Sequence, residues 1–193
     1  MDLSSEFWES SYQNQQTGWD IGYAATPIKV YIDQLTNKDQ KILIPGAGNS
    51  YEAEYLFNKG FKNIFILEFA ESPINNFLKR VPNFPKEQIL IENFFDHRDK
   101  YDLIIEHTFF CALDPSLRES YVEKTSSLLK SNGKLIGLLF RIDFENDHPP
   151  YGGSPEEYER LFSPNFTFKI FETAYNSIKP RQDNELFICL VKK

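Results

Sequence analysis

From Lys41 onward, short apolar runs alternate with longer stretches whose apolar residues recur every three or four positions. The runs predict strands over 41–45, 63–68, 88–92, 101–106 and 133–140. The amphipathic stretches predict helices over about 50–59, 72–80, 116–130 and 155–162. Such alternation gives an α/β chain with a parallel sheet and helices on both faces. Three branched apolar residues in a row, Ile42-Leu43-Ile44, suit a strand buried on both sides. Segments 166–174 and 185–192 are both β-rich and flank the polar turn 179–184. No crossover helix fits between them, so they should pair antiparallel and close the sheet. Ahead of the first strand lies an aromatic stretch with Phe7, Trp8, Tyr12 and Trp19, in which Trp8 and Tyr12 share one helical face. Thr26-Pro27 then opens a helix, with Thr26 as its cap. With no repeat, linker or low-complexity tract, the expectation is one domain over 1–193, preceded within it by an aromatic flap at about 1–27.

In a parallel sheet of this kind ligands collect at the carboxyl ends of the strands. The first such end reads Pro45-Gly46-Ala47-Gly48-Asn49-Ser50, a glycine turn leading into a helix that Asn49 or Ser50 could cap. The second ends on Glu68, 22 positions after Gly46, near the spacing at which a carboxylate reaches a ribose. After the third strand come Asn93 and Phe94, which either hold a base or form a plain loop. After the fourth comes His107, open to reading as a ligand contact, an acid or base, or a structural histidine. The polar stretch 141–155 is too long for a bare connection and suits a lid or substrate loop. Helix 116–130 is expected to stop at Asn132-Gly133.

Composition narrows the classes. A net charge of −7 over 193 residues, with no basic stripe, argues against nucleic-acid binding. No apolar run approaches the roughly 20 residues that span a bilayer. The acidic, polar N-terminus is not a secretory signal, so a cytoplasmic protein is expected. Cys111 and Cys189 read as reduced, buried thiols, and three scattered histidines make a zinc site improbable.

The chain resembles the thiopurine, thiol and halide S-adenosylmethionine-dependent methyltransferases, in particular their plant and bacterial thiol- and halide-methylating branch. The resemblance rests on Trp8…Tyr12…Thr17-Gly-Trp-Asp-x-Gly, Thr26-Pro27, Leu43-Ile-Pro-Gly-Ala-Gly, Leu67-Glu68, Phe109-Phe-Cys-Ala-Leu-Asp-Pro-Ser-Leu-Arg118 and Pro149-Pro-Tyr-Gly-Gly. It implies a Rossmann-like class I methyltransferase with S-adenosyl-L-methionine as cofactor. Trp8, Tyr12 and Trp19 would cover that cofactor, and Gly46 would lie under its methionine part. Glu68 would bind the ribose, Asn93 and Phe94 the adenine, and His107 would line the sulfonium end. Relatives often carry Asp at Asn93 and Tyr at His107, and the plant ones lack a basic residue at Arg141. The implied reaction is transfer of a methyl group to a small thiol, thiocyanate or halide by in-line displacement. Trp19, Phe110, Arg141 and Tyr151 are the candidate acceptor wall, with Arg141 or Tyr151 orienting the acceptor or helping deprotonate a thiol. The expected partner is a small-molecule acceptor, with no nucleic acid or membrane, and the chain is a monomer or weak homodimer. Other readings are N- or O-methylation of a small molecule, a NAD-dependent oxidoreductase and a non-catalytic nucleotide-binding module. Against the oxidoreductase, Tyr51 stands where G-x-G-x-x-G needs its third glycine.

Overall fold

A computed structural model describes residues 3–193; positions 1 and 2 of the expected flap lie outside the described residues. Seven strands, β1 (Lys41–Pro45), β2 (Asn63–Glu68), β3 (Ile89–Ile91), β4 (Tyr101–His107), β5 (Leu129–Phe140), β6 (Phe166–Thr173) and β7 (Glu185–Lys192), form one sheet in the order β3-β2-β1-β4-β5-β7-β6. Pairings from β3 through β5 are parallel, and β7 runs antiparallel to both β5 and β6. The terminal pair is thus antiparallel as predicted, with β7 inserted between β5 and β6. Among the described residues no helix is long and apolar enough to cross a membrane.

Alternating side chains on the central strands build two apolar layers. Ile42 and Ile44 of β1 and Leu103 and Ile105 of β4 pack under α2 (Thr26–Asp33), α3 (Tyr51–Asn58) and α4 (Glu71–Arg80). Leu43 and Ile104 point the other way, towards α5 (Arg118–Leu128) and α6 (Pro155–Phe162). The remaining helix, α1 (Ser5–Gln13), lies against α4. There Glu9 accepts hydrogen bonds from the backbone N–H of Ser72 at 2.9 Å and from its hydroxyl. The chain leaves β1 in one direction and β4 in the other, so their carboxyl ends diverge and open a crevice.

Several local expectations are corrected. Ser50 does not cap α3: it adopts a left-handed φ of 59° and its hydroxyl donates to the Gly48 carbonyl. Asn49 instead donates from its side chain to Asp20. The cap position of α2 is Ala25 rather than Thr26, and its N–H reaches Glu52 Oε1 at 3.0 Å. Residues 115–117 form a 3-10 turn ahead of α5, fixed by the Asp114 carboxylate accepting from the Ser116 N–H. At its other end α5 stops at Leu128 because the fully buried Leu129 already pairs with Tyr101 in the sheet. Asn132, with φ 61°, sits in the irregular stretch of β5 that follows, a backbone region that asparagine tolerates, rather than ending a helix.

Candidate functional site

The crevice between β1 and β4 widens into a cavity of about 870 Å³, within the range of small-molecule sites. Its floor is the turn after β1. Gly46 has φ +55°, and a Cβ there would stand 2.2 Å from the Phe109 ring. Gly48 has φ +51°, and a Cβ there would stand 2.6 Å from the Tyr12 hydroxyl. Both conformations favour glycine, and both positions leave the backbone bare to whatever lies above it.

Glu68 ends β2 beside this turn. Its Oε2 accepts the Gly48 N–H at 2.8 Å, and its Oε1 accepts the N–H groups of Phe69 and Ala70 at 2.9 and 3.2 Å. Burial raises its pKa above the ordinary carboxylate value despite these three donors.

Trp8, Tyr12 and Trp19 come together at the cavity wall. Trp19 lies 5.3 Å from Trp8 and 5.7 Å from Tyr12, edge to face in both cases, and its indole N–H donates to the Tyr12 hydroxyl at 3.3 Å. On the far side, Phe94 stacks on Tyr121 with centroids 5.4 Å apart, and Asn93 Oδ1 accepts the Phe95 N–H. That bond leaves the Asn93 amide nitrogen available. All eight residues expected to bind the cofactor, Trp8, Tyr12, Trp19, Gly46, Glu68, Asn93, Phe94 and His107, line this one cavity.

The two candidate catalytic residues do not. Arg141 turns to the outer part of the sheet, where its guanidinium donates to Thr173 Oγ1 at 2.5 Å and its N–H to the Asn184 carbonyl. Tyr151 is buried behind the turn after β4, its N–H on the Cys111 carbonyl at 2.7 Å and its hydroxyl on the Asp147 carbonyl at 3.3 Å. The long insertion contributes His148, Pro149 and Pro150 to the wall in their place. Phe110 is likewise a core residue, packed against Tyr121 and Tyr158, while its neighbour Phe109 lines the cavity. Glu106 sets this turn by accepting the N–H groups of Phe109 and Phe110, each at 2.8 Å, and the Tyr121 hydroxyl at 2.6 Å. Cys111 also borders the cavity, but burial pushes its thiol up to about 12, so it stays protonated at neutral pH.

His107 has both ring nitrogens engaged. Nδ1 lies 3.0 Å from Glu52 Oε1, and Nε2 lies 3.3 Å from Arg181 Nη1. A guanidinium can only donate, so this second contact is a hydrogen bond only while the ring is neutral with its proton on Nδ1; protonation gives it up and turns the Glu52 contact into an ion pair. A free acid or base is therefore not what the geometry offers, although the ring still borders the cavity. Burial and Arg181 both oppose the imidazolium, but the charge and hydrogen bond of Glu52 prevail and raise the ring's pKa. Burial likewise opposes the Glu52 carboxylate, and His107 outweighs it, so the Glu52 pKa is lowered. The sequence reading missed Glu52 and Arg181: neither occupies a recognisable motif, and the first lies inside a helix that reads as merely amphipathic.

The sign of these shifts fixes a pH dependence. Glu52 contributes stability above its ordinary value of 4.5 and loses it as pH falls through the lower folded pKa. His107 contributes below 6.5 and loses it as pH rises through its higher folded pKa. Thermal melts of wild type and Glu52→Gln should therefore differ most between those two values and converge on both sides. A gap that stays constant across the range would contradict the pairing.

The cavity fits an adenosyl cofactor by its glycine floor, its buried carboxylate at the turn and its aromatic cover. Fold and site together define a class I S-adenosylmethionine-dependent methyltransferase. A family profile described as "Thiopurine S-methyltransferase (TPMT)" matches residues 3–187, and the chain belongs to that family. It is 31% identical over 166 residues to "Probable thiol methyltransferase 2" of Arabidopsis thaliana, covering 83% of this chain and 73% of the relative. It is 28% identical over 186 residues to "Thiocyanate methyltransferase 1" of Brassica oleracea, covering 92% and 81%. In fold it is similar to the 1,6-didemethyltoxoflavin-N1-methyltransferase of Burkholderia thailandensis, solved with S-adenosylhomocysteine, at a TM-score of 0.80 and 15% identity over 99% of this chain and 88% of that one.

Proposed function

We propose that the protein methylates a small neutral thiol on sulfur, in preference to a halide or thiocyanate. The observation that carries this is the charge of the wall. Among the described residues, Glu6, Asp20, Glu52, Glu68, Glu92 and Asp114 line the cavity, and no lysine or arginine does. Such a wall repels a small anion and tolerates an uncharged acceptor among its aromatic surfaces. The thiol and thiocyanate names of its relatives leave both acceptor types open.

In this reading Glu68 accepts from the ribose hydroxyls, and Asn93 and Phe94 hold the adenine. Gly46 lets the methionine part approach the backbone, Trp8, Tyr12 and Trp19 exclude water from above, and His107 borders the sulfonium end. When bound, S-adenosylmethionine supplies a methyl group already activated for displacement. What the residues add is alignment, which can be worth roughly 7–11 kcal/mol when reactants are held at near-attack distance. As sulfur attacks, the bond from the methyl group to the cofactor's sulfur breaks and the thiol's proton leaves to solvent. The same reading has one methyltransferase domain with an aromatic flap, acting in the cytoplasm as a monomer or weak homodimer. It acts on a small molecule rather than nucleic acid, which the net charge of −7 supports.

A methyl-transfer assay over hydrogen sulfide, an aromatic thiol, thiocyanate and iodide tests the acceptor. We expect kcat/KM for the better thiol to exceed that for either anion by about tenfold or more, a barrier difference of ~1.4 kcal/mol. Faster turnover of iodide or thiocyanate would overturn it.

A further inference from the structure

The loop from Trp19 to Ala25 supplies Trp19, Asp20, Ile21 and Tyr23 to the cavity wall, yet it carries no helix or strand of its own. Asp20 is held by the Asn49 amide and, at 3.4 Å, by the Tyr51 hydroxyl, and two further hydrogen bonds tie the loop's ends down. The Trp19 carbonyl accepts from Arg181 Nη2 at 2.7 Å, and the Ala25 N–H donates to Glu52 Oε1 at 3.0 Å. Between these two anchors stands His107, touching Glu52 with one nitrogen and Arg181 with the other. Arg181 is itself held by Glu185 Oε1 at 3.4 Å and lies over the Phe140 ring at 5.6 Å. The side chains of Glu52, His107, Arg181 and Glu185 are 6, 11, 11 and 4% exposed.

Burying such a row is costly unless every member finds a partner, so its arrangement is narrowly determined. The row runs from α3 through the end of β4 to the turn before β7, and it meets the cover at the carbonyl of its central tryptophan. Arg181 is absent from the cavity lining, so it reaches the site only through other groups.

We propose that Arg181 is a positioning residue that latches the Trp19–Ala25 loop over the cofactor cavity, acting through the Trp19 carbonyl and His107 without touching the ligand. The inference rests on the reading of this cavity as the cofactor site. It assigns a role to the turn at 179–184, which otherwise merely joins two strands. A lysine at this position has a single donor nitrogen in place of the two that Arg181 directs separately to His107 and Trp19, so it matches the pair less well.

The protein's two tryptophans, Trp8 and Trp19, both lie in the cover, so intrinsic fluorescence reports the latch directly. In Arg181→Met we expect tryptophan emission to shift red and acrylamide quenching to rise. S-adenosylhomocysteine affinity by calorimetry should fall by about tenfold or more, the loss of a charged hydrogen bond. Arg181→Lys should fall between wild type and Arg181→Met in both measurements. Since Arg181→Met strands Glu185, the double variant Arg181→Met/Glu185→Gln removes the unpaired charge and should show the same loosened cover if the single variant folds poorly. Quenching equal to wild type in the folded variants overturns the latch, whether or not affinity falls. Failure of wild type to bind S-adenosylhomocysteine would instead overturn the cofactor site, and the quenching comparison would still decide the latch.

Discussion

Glu68→Ala should reduce S-adenosylhomocysteine affinity by two to four orders of magnitude and abolish turnover. Two sugar hydroxyls donating to one ionised carboxylate are worth about 1.5–3 kcal/mol each, or roughly 10²–10⁴-fold in affinity together. The same substitution frees the N–H groups of Gly48, Phe69 and Ala70. Buried donors left without partners cost about 1–3 kcal/mol each, so a lower melting temperature accompanies the binding loss. Glu68→Gln separates the two effects. Its amide oxygen still accepts from Phe69 and Ala70, which preserves much of the fold. The amide nitrogen, however, meets the Gly48 N–H and removes one acceptor from the ribose. An affinity loss with a smaller drop in melting temperature than in Glu68→Ala, since one rather than three backbone donors is left unpaired, is the expected result, measured by calorimetry and thermal denaturation side by side. The pH response adds a second check. Because burial raises the Glu68 pKa, its contribution to stability is present at low pH and lost as pH rises through that raised value. Ligand binding runs the other way, since protonation removes an acceptor that the hydroxyls need. Affinity should therefore fall on acidification while this residue's contribution to stability grows, and parallel trends would point to a purely structural carboxylate.

Much of this site was readable because its parts are local in the chain. The glycine turn, the following helix and Glu68 belong to one strand-helix-strand unit, and their separation along the chain nearly determines their separation in space. Ile42, Leu43 and Ile44 announced a strand covered on both faces, and it lies inside the sheet between β2 and β4. Arg181 was opaque for the opposite reason. It reaches the cavity's edge only because β7 slips between β5 and β6, a pairing across distant segments that no local pattern encodes. Arg141 drew attention as the cation following a sheet strand, but its side chain goes to β6. The exchange of Phe110 for Phe109 has a smaller cause. Thr108 takes a left-handed φ of 61°, and the turn this creates, pinned by Glu106, sends Phe109 to the cavity and Phe110 into the core. A one-residue difference of that kind depends on a backbone twist rather than on hydrophobic pattern, which treats the two phenylalanines alike.

Gly46→Ala should cost about 2–5 kcal/mol of stability and remove detectable cofactor binding. The backbone at φ +55° accounts for the first part, since a side chain in the left-handed region costs roughly 1–2 kcal/mol. The second part is collision: the new Cβ would meet Phe109 Cδ2, Cγ and Cβ at 2.2, 2.5 and 2.9 Å, an overpacking worth about 1–3 kcal/mol. Rotating the Phe109 ring cannot relieve a contact that includes its own Cβ, and Glu106 holds the Phe109 backbone. Relief must come from moving the glycine turn or the turn after β4, and both border the cavity. Gly60→Ala isolates the backbone cost, because Gly60 has φ +82° and a methyl group added there would have nothing within 4 Å; it should lower the melting temperature modestly and leave S-adenosylhomocysteine binding unchanged. Gly46→Ala/Phe109→Ala removes the collision but keeps the strain, and should recover part of the stability and some binding. If Gly46→Ala alone binds S-adenosylhomocysteine as wild type does, the glycine turn is not the floor of the cofactor site, and the roles assigned to the residues above it fall with it.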